Sequence, residues 1–447
     1  MNKWVTVLMV VLCLMVATAV VAQSVTYPAE EFAARRAALC DSVGEGYVLM
    51  FGASNRQPGL RFRQDNDFYY LTGVEDLNAA LVIDVQRDCR AILFLPSQGK
   101  GEIKMGGANL LEDSERADQA GFARIVELAR LHEMLAYSQT RQASSLWLRL
   151  QEPDFVDQHR RETRGYLARE FATGFGQPSV NAYRASLLAD RFPSIAVKDV
   201  TPHLDALRMI KTAREIEVLR RNGRIGAQAI QRSIEATAPG KYEYELAAEA
   251  AYIVRKSGCE GDGYAPIVAS GPNLAAWHYE RNDRKLEEGD LIVMDYGGSL
   301  GYLTIDITRT WPASGTFSDR ELEVYRCVLE AQKAVIAAIR PGVTREETRA
   351  ICSEIFAKHG FGDHRPFGCG GHFVGMSVHD VGDEKEPFAP GMVLAIEPII
   401  AIDDEQIHVR IEDTVLVTDD GAEVLSADLP KEIEEVLALV GRSVAAD

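Results

Sequence analysis

Two Pro-Gly pairs, Pro239-Gly240 and Pro341-Gly342, stand 102 residues apart, and each precedes by eighteen residues a further glycine, Gly258 or Gly360. Helix signals frame both copies. Thr212 with Glu215 forms a capping box, after which Ile216, Leu219, Gly223, Gly226 and Ile230 recur at helical spacing until Pro239-Gly240 stops the run. A second helix is predicted over roughly 243–257. In the other copy Ser318 with Glu321 starts one helix and Thr344 with Glu347 the next. A chain punctuated in this way is constrained to a duplicated helix, helix, sheet unit.

The residues after each helix pair extend the duplication. LIVMDYGG and YLTIDITRTW flank one turn, and MVLAIEPIIAI and IHVRIEDTVLV flank the turn DDEQ. Adding 102 to Asp295 gives Glu397, and adding it to His278 gives the position one residue beyond His379. Because side chains alternate along a strand, regular hairpins make a geometric prediction. Asp295 and Asp306 are equidistant from a turn centred between Leu300 and Gly301, and Glu397 and Glu412 from one between Asp404 and Glu405. Like charges opposed on a sheet destabilise it, and a buried carboxylate without a partner is costly, so both pairs require compensation. Two divalent cations would supply it.

A single acid in a strand is usually solvated, and a single histidine is usually a core residue; the joint pattern is what changes the reading. His372 sits in GCGGHFVGMSVHD, where Gly368, Gly370, Gly371 and Gly375 let the backbone approach a metal pocket closely. Asp295, Asp306, His372, Glu397 and Glu412 make an oxygen-rich set suited to Mn²⁺, Co²⁺ or Zn²⁺, with Mn²⁺ the first choice. Two ions about 3.5 Å apart would acidify a bridging water to a hydroxide nucleophile, which implies hydrolysis. GGSLG at 297–301 fits a serine-hydrolase elbow, but a helix must follow that motif and the next residues alternate as a strand. Ser299 is therefore read as a turn residue.

Upstream, runs such as AALVIDV and AILFLP mix with polar helical stretches, and PSIAVKDVTP at 193–202 marks the domain boundary. Residues 1–22 carry Lys3, an apolar run and a small-residue end, which reads as a cleaved signal peptide rather than a retained anchor. The mature protein is then exported, periplasmic or secreted, with no membrane attachment. In such a compartment Cys40, Cys89, Cys259, Cys327, Cys352 and Cys369 can pair, although buried free thiols fit equally well. The formal charge of -18 becomes -19 when Lys3 leaves, which argues against a nucleic-acid partner.

VMDYGG with LTIDITRTW, then GGHFVGMSVHD, AIEP and VRIED, together resemble the dinuclear metallopeptidases of pita-bread fold: aminopeptidase P, prolidase and, more distantly, methionine aminopeptidase. The likeness runs from about Leu207 to Leu425, and FRQDNDFYYLTGVED at 62–76 resembles the N-terminal domain of the first two. The expected fold is α+β: a smaller α/β domain over 23–200, a catalytic pita-bread domain over 201–440 and a tail at 441–447. The resemblance implies that Asp295 binds one ion with both oxygens, that Asp306 and Glu412 bridge, and that His372 and Glu397 complete the other ion. It further implies Glu397 as proton shuttle, His278 as a substrate contact near the scissile bond, His379 as a stabiliser of the tetrahedral intermediate, and Arg410 as a support acting through Glu412 and nearby acids.

The implied activity is that of an Xaa-Pro aminopeptidase, taking peptides with proline second. An X-Pro bond has no N–H and is restricted in conformation, so general peptidases handle it poorly. Prolidase, which shares the ligands but cleaves dipeptides, is the near rival, and the interval from Glu397 to Glu412 is shorter than in many aminopeptidases P. A non-catalytic pita-bread binding protein is the reading from another class; such relatives usually lose ligands, and here all five are present. Dimers are common in the resembled family, which leaves a homodimer open.

Overall fold

A computed structural model describes residues 25–55, 61–140, 145–176 and 179–443. The segment 1–22 read as a signal peptide lies outside the described residues, and of the tail only 441–443 fall within them. No helix among the described residues is long and apolar enough to cross a membrane.

The N-terminal part is built on a six-stranded mixed sheet. In spatial order its strands are Arg124–Glu127, Arg90–Leu95, Ala80–Asp84, Tyr47–Phe51, Ser145–Leu148 and Ala196–Asp199. Strand Ala80–Asp84 is buried throughout, because both faces of the sheet are covered. Tyr47 and Leu49 point into one apolar cluster with Val82 and Phe94, whereas Val48 and Met50 point into another with Leu81 and Leu93. That second cluster continues through Leu39 of helix Ala29–Val43 into Leu219 and Ile230 of helix Ala213–Glu235. Strand Ala196–Asp199 falls inside the stretch read as a boundary and pairs with Ser145–Leu148, so the sheet is complete only after Asp199.

Beyond it the duplicated unit forms as the punctuation requires. Helices Ala213–Glu235, Asp319–Ala338 and Arg345–Lys358 all begin in capping boxes. At the first, Glu215 N–H donates to Thr212 Oγ1 at 3.2 Å while Thr212 N–H donates to Glu215 Oε2 at 2.8 Å. Gly240, Gly258, Gly342 and Gly360 hold φ of 92°, 89°, 89° and 83°. These are left-handed values, and glycine adopts them without the Cβ clash that would penalise other residues. The two central strands, Leu291–Asp295 and Val393–Ile396, each divide their side chains between two cores. Ile292, Met294, Val393 and Ala395 face the helix pair of the first copy, and Leu291, Val293, Leu394 and Ile396 face that of the second.

The second hairpin keeps the expected register: Ile399 pairs with Arg410 and Ile396 with Asp413, which leaves Glu397 and Glu412 opposite each other at the break between two ladders. The first does not. Asp295 pairs with Thr308 rather than Asp306, because the turn is centred between Gly301 and Tyr302, one residue later than expected. Both turn residues have positive φ, 57° and 66°, as a tight two-residue hairpin of matching twist demands. Tyrosine is strained there, and the N-terminal part holds it in place. Tyr69 stacks on the Tyr302 ring at 3.4 Å, and Arg63 donates to the Tyr302 carbonyl at 3.1 Å and to Ser299 Oγ at 3.0 Å. Ser299 is thus a buried hairpin residue with no helix after it.

A buried ionic cluster joins the two parts. Arg208, on helix Thr201–Met209, reaches Asp67 at 2.7 Å, Asp154 at 2.7 Å and Asp380 at 2.7 Å, and Lys211 reaches the other oxygen of Asp380 at 3.0 Å. Burial alone would raise Asp67, but Arg160, Arg208 and Arg149 outweigh it and hold the carboxyl at about 2.

Gly223 lies where helix Ala213–Glu235 runs against Leu425, and a Cβ there would overlap the Leu425 carbonyl. Alanine ordinarily stabilises a helix relative to glycine by about 1 kcal/mol. At this position the overlap should win, and Gly223→Ala should destabilise the fold by about 1–3 kcal/mol. Chemical denaturation of both proteins measures it, and a higher midpoint for the variant would contradict the packing described.

Candidate metal centre

Asp306, His372 and Glu412 present ligand atoms that all lie within 4.8 Å of one another, although the three residues come from both copies of the repeat. His372 heads the short strand His372–Phe373, paired with Val393–Ile396. Its approach is glycine-dependent: a Cβ on Gly368, at φ 69°, would overlap the Glu397 carbonyl, and one on Gly371, at φ 65°, would overlap that of Ala395. A disulfide between Cys352 and Cys369 ties helix Arg345–Lys358 to this segment. A second joins Cys40 to Cys89, while Cys259 and Cys327 are free and buried.

The His372 Nδ1 lies 3.2 Å from the Phe373 carbonyl, which can only accept, so Nδ1 carries the hydrogen and Nε2 faces the acids. From Nε2 the distances are 3.4 Å to Asp306, 3.9 Å to Glu397 and 4.0 Å to Glu412. Asp295 joins from the side. Tyr264 Oη is 2.5 Å from Asp295 and 2.6 Å from Asp306. One hydroxyl hydrogen cannot satisfy two carboxylates at once. Arg410 donates to Asp295 Oδ2 at 2.8 Å and, through Nε, to Thr308 Oγ1 at 3.1 Å, and Thr308 in turn donates to Glu412 Oε2 at 2.6 Å. Arg410 therefore supports Glu412 through Thr308, and its direct carboxylate partner is Asp295.

The remaining oxygen, Glu412 Oε1, is buried and has no hydrogen-bond partner. An orphaned buried carboxylate oxygen facing a histidine nitrogen and a second acid is what a divalent cation would satisfy, so the residues fit the metal that the sequence calls for. The protein's own charges agree. Burial, then the charges of Asp306, Glu397 and Asp295, push Glu412 well above the ordinary carboxyl range. Burial and Asp306 likewise raise Asp295 to about 8, against the pull of Arg410. Burial raises Asp306 too, but the hydrogen bond and charge of His372 reverse the direction and hold it below its usual value.

His379 packs edge-on to His372, with ring centroids 4.5 Å apart, and its ring lies 6.5 Å from that of His278, which is exposed at the rim. All eight residues named from the sequence thus lie in one neighbourhood. Tyr264 and Thr308 were missed. A two-residue turn at Gly301-Tyr302 would have pointed to Thr308 as the partner of Asp295; nothing in GDGYAP marks Tyr264.

Residues 217–419 match metallopeptidase family M24, and residues 32–147 match the aminopeptidase P N-terminal domain. An Xaa-Pro aminopeptidase of Escherichia coli is 31% identical over 92% of this chain and 97% of its own length. This chain belongs to the aminopeptidase P family. Among solved structures, a putative aminopeptidase P from Bacillus anthracis superposes with a TM-score of 0.82 at 26% identity, covering 92% of this chain and 98% of that one. An Xaa-Pro dipeptidase of Pyrococcus furiosus is 37% identical, but over only 51% of this chain and 66% of its own. The pita-bread fold, the hydrolytic metallo-aminopeptidase class and the use of divalent metal ions follow for this aminopeptidase P family member.

The raised Asp295 carboxyl has a consequence for the metal-depleted protein. Its stabilising contribution is complete below the ordinary value of 3.8 and is lost as pH rises through about 8. Calorimetric scans with chelator should therefore show the melting temperature falling between about pH 4 and pH 8. Manganese at about 100 times its dissociation constant should add about 2.7 kcal/mol and flatten that slope. A melting temperature indifferent to metal would contradict the site.

Proposed function

We propose that this protein is an Xaa-Pro aminopeptidase in which Asp295, Asp306, His372, Glu397 and Glu412 hold two divalent ions, with Mn²⁺ the first choice and Co²⁺ or Zn²⁺ acceptable to the same donors. The observation that carries the reading is the convergence of Asp306, His372 and Glu412 on the unpartnered Glu412 oxygen. When bound, the ions act as Lewis acids that polarise the scissile carbonyl and acidify the attacking water.

The protein's own groups supply the rest. Glu397, half-buried and 3.9 Å from His372, takes the water proton on its carboxylate and returns it to the departing proline nitrogen. That return is needed because the departing nitrogen would otherwise leave as a strongly basic amide anion. His379 and His278 stand at the open side of the cluster, where a His278 ring N–H can hold the carbonyl oxygen as negative charge develops on it and His379 turns a ring nitrogen toward the bound peptide. Arg410 keeps Asp295 aimed inward.

Prolidase activity is the second reading, favoured by the likeness to the Pyrococcus furiosus dipeptidase and by the compact turn at 403–406. The near-complete coverage of the Escherichia coli aminopeptidase supports the first. Export is proposed as well: the two disulfides among the described residues are what an oxidising compartment allows.

Hydrolysis of an X-Pro tripeptide and an X-Pro dipeptide, with manganese and after chelation, tests the assignment. The tripeptide should be cleaved after its first residue and chelation should stop it. Cleavage of the dipeptide alone would establish prolidase instead, and bound metal without any hydrolysis would establish a binding protein. Asp306→Asn should lower turnover on the order of 100-fold or more and release metal with little change in circular dichroism. His379→Ala should lower turnover while metal stays bound, as metal analysis of the purified variant would show.

A further inference from the structure

Three consecutive residues, Val378, His379 and Asp380, are each fastened to something the catalytic repeat does not itself provide. Val378 N–H donates to the Val156 carbonyl at 2.8 Å. Asp380 accepts from Arg208, whose other contacts are Asp67 and Asp154 of the N-terminal part. Between them His379 Nδ1 lies 3.5 Å from Glu162 Oε1.

Glu162 belongs to helix Arg160–Ala172, and its two oxygens have separate tasks. Oε2 accepts from His159 N–H at 2.8 Å and closes the capping box that starts the helix. That bond fixes the carboxyl group and aims Oε1 at the imidazole. The hydrogen bond from His379, set against partial burial, holds the Glu162 carboxyl at about 2. An ionised carboxylate can only accept, so the nitrogen facing it carries a hydrogen. The opposite ring nitrogen, Nε2, is then the one available to a peptide bound beside His372.

We infer that Glu162 is a positioning residue: a side chain of the N-terminal part that accepts from His379 Nδ1–H and so fixes the ring orientation and the nitrogen offered to substrate. This inference rests on the peptidase reading for the role of His379, but the Glu162–His379 pair itself does not. It also gives the N-terminal part a share in the active site, carried by one carboxylate and by the anchors at Val378 and Asp380 on either side of His379. The same logic applies to any imidazole whose far nitrogen is held by an acid: the acid never meets the substrate, yet it selects tautomer and orientation.

Glutamine separates this task from helix capping. Its single carbonyl can keep the bond to His159 N–H, but the group then turned toward His379 is an amide N–H₂, a donor where an acceptor is needed. Turnover and KM should be measured on the manganese-loaded enzyme for wild type, Glu162→Gln, Glu162→Ala, His379→Ala and Glu162→Gln/His379→Ala. Glu162→Gln should retain the wild-type melting temperature and bound metal, lower kcat about 10-fold and leave KM little changed. In the His379→Ala background the same substitution should have no further effect, because its only route to the chemistry is gone.

An equal loss in both backgrounds, or a kcat for Glu162→Gln indistinguishable from wild type, would overturn the inference. A second readout needs no activity: long-range proton–nitrogen spectra of the full chain labelled in histidine, with His379 assigned from His379→Ala. Wild type should show a hydrogen on Nδ1 of His379 and Glu162→Gln a changed pattern; identical spectra would overturn the pairing. A wild type that cleaves no X-Pro peptide but passes the spectral test would defeat the peptidase reading and leave the pair standing.

Discussion

Asp295, Asp306 and Glu412 are almost wholly buried carboxylates facing one another, and in a medium of low dielectric their repulsion is the constraint to which the rest of the molecule answers. Arg410 offsets part of it through Asp295, Thr308 donates to Glu412, and the single hydroxyl hydrogen of Tyr264 serves either Asp295 or Asp306. Glu412 Oε1 still has no partner. Cations of charge two complete the arrangement with the fewest added atoms, and chemistry at a peptide carbonyl follows from having them there.

The fold brings the acids together by repetition. Each copy ends its helices on glycines of nearly equal φ and then runs a strand inward, so that Asp295 ends one central strand and Glu397 directly follows the other. Where the copies meet, Glu412 N–H donates to the Thr308 carbonyl at 3.0 Å and the two sheets become one frame. The N-terminal part acts on this frame at two places. It holds the strained Tyr302 turn through Tyr69 and Arg63, and it holds the His379 segment through the buried cluster around Arg208. Removing one member of such a cluster would leave a buried charge uncompensated, at a cost of about 3–5 kcal/mol.

Much of this was legible in the sequence because it is encoded locally. Capping boxes, Pro-Gly stops and alternating strands state their own positions, and the polar turn DDEQ fixed the register of Glu397 against Glu412. The register of Asp295 was misread because a tyrosine at positive φ is rare, and what stabilises it comes from Tyr69 and Arg63, far away along the chain. Shifting partners by two residues preserved the facing side, so the acids met even though the pairing was wrong. Tyr264 and Glu162 were invisible for a related reason. Their roles arise from tertiary approach, and neither periodicity nor spacing along one element records it.

The account stands on cations between the two hairpins. A crystal grown with manganese, measured on both sides of the manganese absorption edge, locates them directly. Two anomalous peaks should lie among Asp295, Asp306, His372, Glu397 and Glu412, with the Glu412 oxygen that now has no partner bound to one of them. Ordered side chains with no anomalous signal in that space, or manganese held elsewhere on the protein, would contradict it.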